Sequence, residues 1–302
     1  MSDYRNSKWA SEILNLQRED GSWGYFHTLS EPGKTPITTE QALRRLYILG
    51  YSIADEPIQK SVAYMNDCLL GKKQIPDRRE KLHNWDIFTQ LMLSTWIRKF
   101  TKDCDPANKI ADIWANIISL AFADGGYNHD KYVAAYEEAF GIKPRGGRLM
   151  DFVNFYQVSL VSDCLDEPIE SLVFDYILNH DTGIYYIYES RLSDLPEAFE
   201  SKKASRYLAA IELLVNYKKS KGRLSFVVDW LNENRNENGK WDMGSTVKDK
   251  VYFPLSDNWR KRTSREADCT YRIEKLLWHI SIIGNNHCNT WIYGKPGHYE
   301  IM

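Results

Sequence analysis

The stretch Leu16-Gln17-Arg18-Glu19-Asp20-Gly21-Ser22-Trp23 decides how this chain is organised, because weaker copies of it recur. They are Ala123-Asp124-Gly125-Gly126-Tyr127, Asn179-His180-Asp181-Thr182-Gly183-Ile184-Tyr185 and Asn236-Glu237-Asn238-Gly239-Lys240-Trp241. From Gly21 through Gly125 and Gly183 to Gly239 the steps are 104, 58 and 56 residues, and Gly71, after Asp67-Cys68-Leu69-Leu70, divides the first into 50 and 54. A turn at a nearly fixed period is the mark of a repeat architecture.

The segment before each turn carries one-sided helical spacing. Ile110, Ile113, Trp114, Ile117 and Ile118 fall at i, i+3, i+4, i+7 and i+8, and Ile169, Leu172, Val173, Tyr176 and Ile177 repeat the pattern. Asp55-Glu56-Pro57-Ile58 recurs as Asp166-Glu167-Pro168-Ile169, and Asp105-Pro106 opens the helix between them. Proline lacks only an N–H that a first helical turn leaves unbonded, and a carboxylate suits the positive helix end, so these are helix starts. After each turn comes a polar link and then a second helix, apolar around more of its circumference and so buried on more than one side.

This reading predicts outer helices near 7–17, 57–69, 106–122, 168–178 and 224–234, with inner helices near 38–50, 84–99, 148–163, 203–217 and 264–283. The expected fold is all-α: five helical hairpins closing into a double-layered helical barrel, residues 1–302 forming one domain with a tail at 285–302. The links 126–147 and 240–262 are long enough to be read as functional or mobile.

Composition narrows the functional classes. Thirty-nine basic against 41 acidic residues give a net charge of -2, which offers no overall attraction for nucleic acid or an anionic membrane. No segment approaches the roughly 20 apolar residues that span a bilayer, and the start has no signal-peptide core. The five cysteines are scattered without metal-type spacing and read as reduced thiols in a cytosolic protein. Ten Trp, 19 Tyr and 11 Phe either fill a core or line a cavity.

With Gln17, Gly21 and Trp23 in that spacing, the first turn resembles the glutamine-tryptophan motif of the terpenoid cyclase and protein prenyltransferase superfamily, and the repeat extends the resemblance over most of the chain. It implies an α/α toroid in which glutamine ties the outer helix end to the turn, glycine permits the reversal and tryptophan stacks on the neighbouring unit. It also implies a hydrophobic or isoprenoid-type small molecule bound in a central cavity. The reactions of that superfamily are less well matched. There is neither an Asp-x-Asp-Asp run for protonating an alkene nor an Asp-Asp-x-x-Asp run for magnesium and diphosphate. Asp268-Cys269 departs from the prenyltransferase zinc pattern, since adjacent helical residues point about 100° apart. No metal is therefore assigned.

In the superfamily the active site lies at the N-terminal ends of the inner helices. Here those ends carry Thr38, Thr39 and Glu40; His83, Trp85 and Asp86; Arg148, Asp151, Asn154 and Tyr156; Lys202, Lys203, Ser205, Arg206 and Tyr207; and Arg265, Asp268 and Arg272. One reading makes them helix caps and ion pairs. The other makes a mixed-charge cavity, with Asp86, Asp151 and Asp268 as catalytic acid or metal candidates, and His83, Trp85, Asn154, Tyr156, Arg206, Tyr207 and Arg272 binding substrate. The basic stretch Trp259-Arg260-Lys261-Arg262 with Arg265 is either a solvated loop or an oxyanion site at the cavity mouth. Two other classes fit the chain as alternatives: a helical scaffold contacting a protein, and a carbohydrate-active α/α-barrel enzyme with paired carboxylates. No phosphate-binding glycine loop, nucleophile-elbow serine or His-Glu-x-x-His is present.

Overall fold

The computed structural model describes residues 4–28, 30, 36–81, 84–145 and 151–282. His83, Arg148 and the 285–302 tail lie outside the described residues. The described chain is all-α, with helices α1 (Lys8–Leu14), α2 (Thr39–Ile48), α3 (Glu56–Leu69), α4 (Trp85–Phe100), α5 (Asp105–Ala121), α6 (His129–Phe140), α7 (Phe155–Leu160), α8 (Glu167–Asn179), α9 (Lys202–Leu214), α10 (Ser220–Arg223), α11 (Ser225–Glu233) and α12 (Arg262–Ile282). Among the described residues no helix is long and apolar enough to cross a membrane.

The expected outer helices are α1, α3, α5, α8 and α11, and the expected inner ones are α2, α4, α7, α9 and α12. Proline stands in the first turn of α3, α5 and α8, each with an acidic residue beside it. The inner helix α4 packs on α3, α5 and α7, and α7 reaches α9. Its buried Trp85, Phe88, Leu91, Met92, Leu93, Trp96 and Ile97 cover more than one face, as a helix enclosed by neighbours requires.

The five marker glycines, Gly21, Gly71, Gly125, Gly183 and Gly239, all adopt positive φ. At Gly21 the need is doubled, because a Cβ there would sit 2.4 Å from the Lys60 carbonyl oxygen of α3. The Gln17 amide donates to the carbonyls of Gly21 and Pro57 at 3.1 and 2.8 Å and to Ser61 Oγ at 3.1 Å, so it ties the turn to the next unit's outer helix. Trp23 is fixed by two hydrogen bonds. Its indole N–H donates 2.7 Å to the Ile13 carbonyl of its own outer helix, and its backbone N–H donates to Thr39 Oγ1 on the following inner helix. Trp241 repeats both bonds, indole to Leu231 carbonyl at 2.6 Å and backbone N–H to Thr270 Oγ1 at 3.2 Å. Both tryptophans are fully buried. In the first and last turns the sequence repeat is thus also a repeat of hydrogen bonds joining outer helix, turn and inner helix.

The first and last units meet. Trp9 donates to the Ser256 carbonyl, the Tyr4 and Tyr271 rings lie 5.0 Å apart, and the Arg45 guanidinium donates to the carbonyls of Val251 and Pro254. The described part of the 126–147 link, read from sequence as functional or mobile, contains α6, packed on α5. Asn128 caps this helix, Gly141 ends it in the left-handed conformation, and Tyr132, Ala135 and Tyr136 bury one face. The helix escapes notice in the sequence because only one turn and a half of it is apolar.

Candidate functional site

The inner helices border one cavity of about 110 Å³. Arg44, Tyr47 and Ile48 come from α2, Trp96 and Lys99 from α4, and Phe155 from α7; α9 adds Glu212 and Leu213, and α12 adds Tyr271, Arg272, Lys275 and His279. Tyr252 and Leu255 close one side from the 240–262 link. Except at α7, these residues sit in the C-terminal halves or middle of their helices. This cavity therefore lies further along the helix axes than the N-terminal ends.

The 240–262 link is held in place by side chains that the sequence marks as candidate site residues or leaves unassigned. Asp249 Oδ1 accepts the backbone N–H groups of Val251, Tyr252 and Phe253, and Asp268 Oδ2 accepts those of Leu255 and Ser256 at 2.9 and 3.0 Å, with the Ser256 hydroxyl at 3.0 Å. A buried backbone N–H needs an acceptor, and a loop has no ladder to supply one. Asp268 is fully buried, and burial raises its pKa despite those hydrogen bonds. It is a raised carboxyl of the kind an acid catalyst needs, but it serves the loop and does not line the cavity.

The other expected acids lie elsewhere. Asp86 is on the surface, 70% exposed, paired with Arg79 at 2.5 Å. Asp151 Oδ2 lies 2.8 Å from His180 Nε2, beside the third turn, and this hydrogen bond raises the pKa of His180. Arg206 is exposed. Tyr207 is buried and donates to the Leu192 carbonyl at 3.0 Å, and Asn154 caps α7 by accepting from the N–H groups of Tyr156 and Gln157. Trp85 packs on Phe88, which packs on Tyr156 with ring centroids 5.3 Å apart. In the basic stretch, Arg265 pairs with Asp242 at 2.9 Å and Arg262 with Glu266 at 2.9 Å, and neither lines the cavity. Of the ten expected site residues, nine are described, and Arg272 alone reaches the cavity wall.

Arg272 is held by a fork. Its Nε and Nη2 donate to the two oxygens of Glu212 at 2.6 and 3.2 Å, while Nη1 and Nη2 reach the hydroxyl and carbonyl of Ser205. Burial works against its charge, but Glu212 overrides this and raises its pKa. The guanidinium carbon lies 4.8 and 5.2 Å from the ring centroids of Tyr252 and Phe253.

Glu40 lies behind the wall, fully buried, and accepts from Trp96 Nε1 at 3.1 Å, Tyr156 hydroxyl at 2.9 Å, Thr28 N–H and hydroxyl at 2.8 and 2.6 Å, and Arg44 at 3.4 Å. Burial alone would raise its pKa, yet Arg44, His27 and the Thr28 hydrogen bonds bring it below the usual value. It is a stable carboxylate and a poor acid.

Two cations stand apart from these pairs. Lys99 and Lys275 flank the ring of Tyr47, at 4.3 and 5.7 Å from its centroid, and among the described residues neither forms an ion pair with a carboxylate. Burial pulls the Lys99 pKa down to about 8, with Arg44, Lys275 and Lys102 acting in the same direction and Glu212 opposing. His279 is pushed down to about 4 by burial and by Lys275. The cavity therefore carries four cationic side chains, of which Glu40 and Glu212 each engage one.

Sequence reasoning missed Arg44, Lys99, Glu212 and Lys275. The signal was present: each is a charge inside a helix otherwise apolar on several sides, as in Ile97-Arg98-Lys99-Phe100 and Ile211-Glu212-Leu213-Leu214. Such a charge is either paired or exposed to a polar space. Arg98 is the paired kind, bonded to both oxygens of Asp163 at 2.8 and 2.9 Å. Among the described residues no group of three or more His, Cys, Asp or Glu side chains has a metal-holding arrangement. Cys269 is buried and burial raises its thiol pKa to about 12. No family model, curated protein or solved structure matches this chain.

Proposed function

We propose that the protein binds a small molecule with an anionic group and an apolar or aromatic body in the cavity ringed by the inner helices. The observation that carries this is the surplus of positive charge on an aromatic wall: Arg44, Lys99, Arg272 and Lys275 against the single lining carboxylate Glu212. Arg44 and Arg272 are engaged by Glu40 and Glu212 and Lys275 is exposed, so the cost of keeping a cation out of water falls on half-buried Lys99, whose charge has no carboxylate partner among the described residues unless an anion joins it. Tyr47, Trp96, Phe155, Tyr252 and Tyr271 supply the faces for the ligand's body.

Size limits the ligand. An engineered cavity of about 150 Å³ takes benzene, and clefts for drug-sized ligands run to about 300–1,000 Å³. A cavity of about 110 Å³ holds one small ring or a short acid. An isoprenoid diphosphate fits the same chemistry only with its chain leaving past Asn216 and Lys275, the exposed residues at the mouth. The contacts between first and last units support the toroid that the Gln17-Gly21-Trp23 turn suggests. A cytosolic setting remains part of this proposal. Protonation of a substrate by Asp86, Asp151 or Asp268 has no support from their positions. The outward charges of Asp86 and Arg206 fit the scaffold reading, but the charged cavity has no role in it.

Thermal-shift measurements with benzoate, phenyl phosphate, inorganic phosphate and farnesyl diphosphate test the proposal. The melting temperature is expected to rise with at least one of the anions and to lose that response in Lys275→Met, an exposed position whose change leaves the fold intact. Equal responses in wild type and Lys275→Met, or none to any anion, would overturn it.

A further inference from the structure

The cavity holds one group whose chemistry goes beyond anchoring an anion. Lys99 lies in the last turn of α4 with its Nζ 4.3 Å from the Tyr47 ring centroid, and Lys275 approaches that ring at 5.7 Å. An arginine in this position would stay charged under all conditions, whereas a lysine sheds its proton when desolvated or placed beside other cations. Lys99 is half-buried and stands among other cations. The groups facing Lys99 are Arg44 and Tyr47 from α2, Lys102 just after α4, Glu212 from α9, and Lys275 from α12. Glu212 is the only carboxylate in that set, and it is occupied by the fork to Arg272.

Resting on the reading of the cavity as an anion-binding site, we propose that Lys99 is a carbonyl-reactive amine. It forms an imine with a small oxo acid, a ligand whose carboxylate or phosphate is seated by Arg44, Arg272 and Lys275. The step is balanced within the site. The lone pair of neutral Nζ attacks the carbonyl carbon, forming the C–N bond as the π electrons move to oxygen. The ammonium first gives one proton to solvent; the oxygen then takes up two protons, one from the attacking nitrogen and one from solvent, and leaves as water, so one ammonium and one carbonyl yield one protonated imine and one water, with no oxidant or reductant. The lowered pKa of Lys99 supplies the free amine near neutrality. The aromatic wall favours the resulting cation, since ring faces attract positive charge. Glyoxylate has the required groups and a size within about 110 Å³.

The test is incubation of the full chain at pH 7 with glyoxylate and sodium cyanoborohydride, which reduces an imine to a stable carboxymethyl-lysine, followed by peptide mapping by mass spectrometry. At pH 7 an amine with pKa near 8 holds on the order of a hundredfold more free base than a surface lysine near 10.4. Its lower nucleophilicity takes back part of this advantage, so Lys99 is expected to be modified at least about tenfold faster than the average surface lysine. The excess should shrink as the pH is raised towards 10, where surface lysines also lose their protons. Lys275→Met should slow the reaction at Lys99, because the anion loses a partner. Lys99 reacting no faster than surface lysines in the wild type overturns the proposal, with no variant required. If glyoxylate still raises the melting temperature in that case, the anion site stands and the imine fails. If it neither shifts the melting temperature nor modifies Lys99, the imine fails, and the anion site stands or falls with the response to benzoate, phenyl phosphate, inorganic phosphate and farnesyl diphosphate.

Discussion

At the N-terminal ends of the inner helices the polar side chains turn back to the links that precede them, whereas further along the same helices they turn to a shared cavity. Glu40 and Asp268 belong to the first set, accepting hydrogen bonds from Thr28 and from Leu255 and Ser256. Arg44 and Arg272, one helical turn onward from each, belong to the second. Four residues advance one turn along a helix and return to nearly the same face. The pairs therefore look alike in sequence and differ only in what lies at their level. Polar character at a helix start thus reflects the needs of a long link before it reflects chemistry.

The largest expected effect breaks this comparison at its structural end. Replacing Glu40 by alanine leaves Trp96, Tyr156, Thr28 and Arg44 without their buried acceptor, and should cost about 3–5 kcal/mol. Asp268→Ala should follow at about 2–3 kcal/mol, through the orphaned N–H groups of the 255–256 link. Urea unfolding measures both. A loss below about 1 kcal/mol in either would mean that the links are not held from the helix starts.

A smaller, pH-dependent effect belongs to the pair at the third turn. Hydrogen bonding to Asp151 raises the folded-state pKa of His180, so its contribution is fully present below the ordinary value of about 6.5 and is lost as pH rises through the raised folded value. His180→Gln is expected to lose at most about 1 kcal/mol at pH 5.5, the pair being partly exposed. The gap to wild type should close by pH 9. A deficit that grows with pH would reverse the assignment.

The smallest effects are expected where the sequence suggested chemistry and the fold presents a surface. Asp86→Asn and Arg206→Met should each change stability by no more than about 0.5 kcal/mol. Both variants should leave anion binding as in wild type by the same thermal-shift assay. Loss of binding in Arg206→Met would show that its helix end joins the site.

Helix boundaries were legible because the evidence for them is local. Ile110 to Ile118 predicts α5 from its own spacing, and Asp55-Glu56-Pro57 opens α3 where an acid and a proline belong. The helix α6 was missed since its apolar stretch is short, and α7 came out shorter than its pattern because Asn154 caps it late. Of the cavity, only Arg272 was legible. Lys99 lies beside Arg98 in the same apolar context, and nothing within α4 says that Arg98 finds Asp163 while Lys99 finds a void.

By itself, then, the sequence determined the all-α class, the period of about fifty residues and the turns that end each outer helix, because helical spacing, proline starts and positive-φ glycines are set within a few residues of chain. Only the tertiary structure decided which charges converge. Arg44 and Arg272 are separated by more than two hundred residues, and their meeting depends on how five inner helices are rotated about their axes and on which link folds beneath them. That rotation is settled by packing between helices, a property no single helix contains.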